Sequence, residues 1–188
     1  YKRQSLNRSE GKNMKIERFV LGPIETNCYV VVNEDTKECF AVDMAYCPQE
    51  YVDHIREQGY QMKALFLTHG HFDHAGAAEE LADKYQISIY AHEAERETLE
   101  DPGLNLCGMI GEHKVYRADV FVKDEEVLNL AGFSIRVFFT PGHTIGGCCY
   151  YIADEKILFS GDTLFQESVG RTDFPRGSAS VSYTHLRA

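Results

Sequence analysis

Thr68-His69-Gly70-His71-Phe72-Asp73-His74 decides how this chain is read. Four good metal ligands, His69, His71, Asp73 and His74, fall within one short loop. Imidazole and carboxylate suit zinc, iron or manganese, provided a rigid frame holds them. The frame is legible on both sides. Residues 62–67 are a short apolar run that reads as a buried strand. Residues 75–85 read as a helix, with Ala78, Leu81, Ala82 and Tyr85 at helical spacing. Gly70 permits tight chain geometry, and Gly76 lets backbone approach the site. His69 and His71 can face one metal, with Asp73 and His74 serving a second close by. A single His-x-His would favour a solvated surface turn; four ligands framed by strand and helix do not.

Outward from this loop, strands and helices alternate. Residues 14–21, 28–33 and 38–42 read as strands, with turn signals at Gly22-Pro23 and Asn33-Glu34-Asp35. Residues 48–58 read as a helix that opens on Pro48 and stops at Gly59. A strand over 87–91 and a helix over 92–99 follow. Residues 101–119, rich in Gly and holding Pro102, read as an irregular loop near the site mouth. Two hairpins come next, 126–130 with 133–140 across Ala131-Gly132, and 148–153 with 156–160 across Asp154-Glu155. This order implies an α/β layered sandwich. Two further ligands each follow a strand directly: His143 in Thr140-Pro141-Gly142-His143-Thr144, and Asp162 in Phe159-Ser160-Gly161-Asp162-Thr163. Alone, an Asp before Thr is an ordinary cap or turn residue. Together the two loops complete a ligand inventory at one end of a sheet.

The sequence resembles the metallo-β-lactamase fold superfamily. His69-Gly70-His71-Phe72-Asp73-His74, Pro141-Gly142-His143-Thr144 and Ser160-Gly161-Asp162 stand in that family's order. Asn27-Cys28-Tyr29 and Gly170-Arg171-Thr172-Asp173 make it most similar to the short glyoxalase II-like hydrolases. The resemblance implies a four-layer αββα sandwich with its site at one edge between the sheets. It implies that His69, His71 and His143 hold one metal, that Asp73 and His74 hold a second, and that Asp162 bridges them. It implies hydrolysis of a thioester or related small-molecule ester, of the hydroxyacylglutathione type, by a metal-bridging hydroxide, with Asp73 and Asp162 as catalytic carboxylates. Two divalent ions, zinc first and iron or manganese as alternatives, are the expected cofactors. The family carries one more metal-two histidine in a C-terminal Gly-His-Gly type loop. The sequence printed here stops before it, so the expectation is a sandwich incomplete at its C-terminal edge and a weaker second metal site. A mono-iron persulfide dioxygenase and an inactive metal-binding chain are the competing readings.

Composition narrows the rest. The 188 residues suffice for one domain, and 44% hydrophobic with 12% aromatic content describes a globular chain. A net charge of −10 disfavours unselective binding to nucleic acid or anionic membrane and is compatible with a small anionic substrate at a cationic metal centre; the resemblance implies a small-molecule substrate. No apolar run reaches the ~18 residues of a membrane span. The six cysteines have no zinc-site spacing and sit largely in strand-like runs, as reduced, buried thiols of a cytoplasmic protein would. Oligomeric state is not legible. Residues 1–13 read as a non-native leader before Met14, residues 14–179 as the domain, and 180–188 as a translated sequencing adaptor. His185 is accordingly set aside as a ligand. Asp43, ending a strand, is placed to hydrogen-bond a ligand histidine. Arg171 is a candidate contact for an anionic substrate, with pairing to Asp173 as its alternative. His54, His92 and His113 lack ligand spacing.

Overall fold

The computed structural model describes residues 4–6 and 13–182. A seven-stranded sheet runs in chain order, from β1 (Gln4–Leu6), β2 (Met14–Leu21), β3 (Thr26–Asn33) and β4 (Glu38–Val42) to β5 (Gln61–Phe66), β6 (Ser88–His92) and β7 (Val120–Val122). β1 to β4 pair antiparallel, and β4 to β7 pair parallel. Parallel neighbours require crossovers. These are α1 (Gln49–Glu57), then α2 (Phe72–Ala75) with α3 (Ala78–Tyr85), then α4 (Arg96–Glu100) with the irregular stretch after it.

The apolar pattern of β3 to β5 is nearly continuous because both faces of the sheet are covered. Phe19, Val30, Ala41 and Leu65 face Tyr51 and Ile55 of α1 and Leu81 of α3. Val31, Phe40, Val42 and Phe66 face the other way, onto a second sheet. That sheet has the order β11-β10-β9-β8, from β8 (Val127–Leu130), β9 (Phe133–Phe139), β10 (Cys148–Ile152) and β11 (Ile157–Phe159). Phe133, Ile135, Val137 and Tyr150 are its inward residues. Among the described residues the helices lie against the first sheet, so three of the four expected layers are in place: helices, sheet, sheet.

Several local expectations change. The helix expected over 75–85 breaks at Gly76-Ala77 into α2 and α3, where Met44 N–H donates to His74 O and Ala77 N–H to Met44 O. The helix expected over 92–99 is a short 3₁₀ turn, Glu93–Glu95, followed by α4, and β6 extends through His92. Within 1–13, read as a leader, Gln4–Leu6 pairs with β2 at the sheet edge. A two-residue hairpin, β12 (Leu164–Phe165) with β13 (Ser168–Val169), follows Asp162. Residues 179–182 make a helical turn beside the His143 loop, with Ser178 N–H donating to Gly142 O at 2.8 Å. His185 lies outside the described residues. All six cysteines are buried and unpaired with one another. No described helix is long and apolar enough to cross a membrane.

Candidate metal centre

The loop after β5 is anchored from below by Asp43, the residue that follows β4. Asp43 Oδ1 accepts from Thr68 N–H at 2.8 Å, and Oδ2 accepts from Thr68 Oγ1 at 2.9 Å and from His74 Nδ1 at 2.9 Å. Its expected contact with a ligand histidine is therefore present, and it falls on His74. His143 arrives on the loop between β9 and β10, and Asp162 on the turn after β11. All six residues expected to hold metal meet at one edge, between the two sheets.

Two positions can be distinguished. His71 Nδ1 lies 3.1 Å from His69 Nε2 and 3.0 Å from His143 Nε2. Three nitrogens bound to one tetrahedral zinc would lie about 3.3 Å apart, from metal–nitrogen distances near 2.05 Å. The second position lies around His74 Nε2, which is 3.3 Å from Asp162 Oδ1 and 3.6 Å from Asp73 Oδ2. Asp162 spans the two, its Oδ2 lying 3.4 Å from His143 Nε2. Thr26 Oγ1 holds Asp73 Oδ2 at 3.1 Å. His69 is close to both groupings, its ring centroid 4.1 Å from that of His74.

Hydrogen bonds behind the rings show that the donor set fits a divalent cation. The Thr68 hydroxyl gives its one proton to Asp43, so at 3.1 Å it accepts from His69 Nδ1–H. His143 Nδ1–H donates to the Arg171 carbonyl at 2.7 Å. Both rings therefore turn an unprotonated Nε2 inward, the tautomer a metal ligand needs. Burial, reinforced by the neighbouring imidazoles, lowers the pKa of His69 far below the usual value and that of His71 to about 3. Burial also lowers that of His143. These three are neutral near pH 7. His74 is the exception: burial alone would lower it, but Asp43, Asp162 and Asp73 outweigh that and hold it well above the usual value. For Asp162, burial pushes up, and the surrounding histidines, His74 first, bring the carboxyl below its normal range.

Glu95 was not singled out by the sequence. It is buried, accepts from Gly70 N–H at 2.8 Å and from Thr144 Oγ1 at 3.0 Å, and burial pushes its carboxyl up to about 7. Arg171 turns its side chain to Asp173, with both bonds at 2.7 Å, and stacks on Phe174. What it gives the centre in this structure is its backbone carbonyl. His54 pairs with Glu17 at 2.6 Å and His92 stacks on Phe139, so both serve packing; His113 is exposed. A cavity of about 820 Å³ opens beside the second position. Asp73, His74 and Asp162 line it together with Ile24, Tyr29 and Phe165.

Residues 21–188 match the family described as the metallo-beta-lactamase superfamily. A probable metallo-hydrolase, YqgX of Bacillus subtilis, is 36% identical over 175 residues, covering 92% of this chain and 82% of the relative. The hydroxyacylglutathione hydrolase GloC of Haemophilus influenzae is 31% identical, covering 93% of this chain and 83% of the relative. Among solved structures, the BLEG-1 B3 metallo-beta-lactamase superposes with a TM-score of 0.86 at 37% identity, covering 92% of this chain and 83% of that one.

Proposed function

Because the chain belongs to the metallo-β-lactamase superfamily, we propose that it is a metal-dependent hydrolase of a small-molecule thioester, of the hydroxyacylglutathione type. The observation that carries this reading is Asp162, whose two oxygens reach toward His143 on one side and His74 on the other. A carboxylate so placed would serve both ligand sets if two ions were bound. His69, His71 and His143 would hold the first divalent ion; Asp73 and His74 would hold the second. Bound there, the ions supply Lewis acidity, polarising a carbonyl and lowering the pKa of water.

The protein's own groups supply the rest. The neutral histidines of the first position are aimed by Thr68 and Arg171 O, so little reorganises when substrate arrives. Asp73, held by Thr26, is placed to take a proton at its carboxylate. The cavity beside it gives a thioester room to lie with its carbonyl toward Asp162 and its apolar part along Ile24 and Phe165. GloC, whose name states hydroxyacylglutathione hydrolysis, supports the choice of thioester.

The test is to load the purified chain with zinc, manganese or iron and to follow thiol release from a hydroxyacylglutathione, with a β-lactam as comparison. Hydrolysis of the thioester in preference to the lactam, lost in Asp162→Asn, is the expected result. Opening of the lactam alone would overturn the substrate assignment. An iron-loaded protein that consumes oxygen with glutathione persulfide, and hydrolyses nothing, would overturn the reaction class.

A further inference from the structure

We propose that Glu95 is a positioning residue that fixes the spacing between the two loops supplying the first metal position, and so governs how firmly that position keeps its ion. The inference rests on the reading that His69, His71 and His143 hold a metal. Those ligands come from loops 72 residues apart in sequence. Glu95 touches neither set of rings. One of its oxygens accepts from Gly70 N–H, the amide between His69 and His71. The other accepts from the hydroxyl of Thr144, the residue after His143. One side chain, 1% exposed, thus reaches both loops with one oxygen each.

The backbone repeats the link. A Cβ on Gly146 would lie 2.1 Å from Glu95 N, so glycine alone lets the His143 loop press against this residue. A carboxyl buried to this degree is costly to desolvate, and an apolar side chain would fill the space more cheaply. Its placement is accounted for if the two loops must sit at one set distance. Asp43 does the corresponding work for His74, from the other side of the loop. Two buried carboxylates on different elements thus stand behind the rings of the centre.

Glutamine at position 95 tests this. Its amide oxygen can accept from one loop, but its NH₂ must then face the donor on the other. We expect the full-length Glu95→Gln chain to hold its first equivalent of zinc at least tenfold more weakly in competition with a chelator. Its one-equivalent cobalt(II) form should show shifted visible bands, which a change in fold stability alone would not move. Thr144→Val should shift both readouts in the same direction, and Thr144→Ser, which keeps the hydroxyl, should restore them. The Thr144 pair decides the matter if Glu95→Gln does not fold. Unchanged zinc affinity and cobalt spectrum in Glu95→Gln and Thr144→Val would overturn the proposal, whatever happens to the melting temperature. A wild-type chain that takes up no metal would overturn the metal reading and the positioning role with it; a wild type that binds metal no better than Glu95→Gln would overturn the positioning role alone.

Discussion

His74 keeps different company from the other three histidines of the centre. His69, His71 and His143 face one another and are neutral, whereas His74 Nε2 faces Asp73 and Asp162 while its Nδ1 bonds Asp43. Burial opposes its charged form, but three carboxylates outweigh that and raise its pKa well above the usual value, which favours a proton on both nitrogens before metal arrives. Metal uptake requires that Nε2 proton to leave. The second equivalent should therefore release more protons than the first. Calorimetry at pH 7 in buffers of different ionisation enthalpy reads this directly, and equal release at both steps would show the charge assignment to be mistaken. The sign also fixes the pH trend. As pH falls, His74 holds its proton more firmly, so occupancy of the second position should drop before that of the first. Asp43→Asn belongs to the same argument. Asparagine offers one acceptor where Thr68 N–H, the Thr68 hydroxyl and His74 Nδ1–H all donate, which leaves a buried donor facing the new NH₂. A loss of about 1–3 kcal/mol in folding stability should follow. A 10- to 100-fold weakening of the second equivalent should accompany it, measured by denaturation and metal titration.

Between single residues and the whole fold stand the short loops, and the one carrying Asp162 is the tightest. Gly170 returns past it after the β12–β13 hairpin, and a Cβ there would fall 1.6 Å from the Asp162 carbonyl oxygen. Gly170→Ala must therefore displace the Asp162 turn. Since β12 and β13 are exposed, the fold should tolerate the shift while the centre does not. A fall of about 100-fold in kcat/KM with a melting temperature within a few degrees of wild type is expected, from the sensitivity of catalysis to misplacement near 1 Å. The His69–His74 loop was legible because few roles explain so many ligands between an apolar strand and a helix. His143 and Asp162 were legible because each follows a strand directly. Glu95 was not: it stands in Glu93-Ala94-Glu95-Arg96-Glu97, where nothing local separates the buried glutamate from its exposed neighbours. Its distant partners do so: Gly70 N–H, the Thr144 hydroxyl, and Gly146 packed against it 51 positions later. The same limit hid the break at Gly76-Ala77. Helical spacing runs through it, and the hydrogen bonds that interrupt it come from Met44, on a distant part of the chain.

At the scale of the molecule, the candidate centre draws its side chains from both sheets. His69, His71, Asp73 and His74 leave the end of β5, while His143 and Asp162 leave β9 and β11. The sheets are already joined at this edge by Cys148 N–H donating to Thr68 O at 2.9 Å, and by the Tyr150 hydroxyl donating to Leu67 O at 2.9 Å. A metal at the first position would add a cross-link between the same two sheets, and would favour the native arrangement that brings the three histidines together. Such a ligand stabilises by about 2.7 kcal/mol when present at a hundred times its dissociation constant. The gain should be local in its reach. Stripping metal should speed amide exchange at Cys148 and across 143–147, where the second sheet meets the β5 loop. The end of the β2–β3 ladder away from Thr26, where residues 14–17 pair with residues 30–33, should keep its protection. If exchange instead rose equally across β2 and β3, the metal would be holding the whole fold. If exchange at Cys148 did not change, the hydrogen bonds from Cys148 and Tyr150 would suffice to join the sheets, and the ion would be a guest of a sandwich already closed.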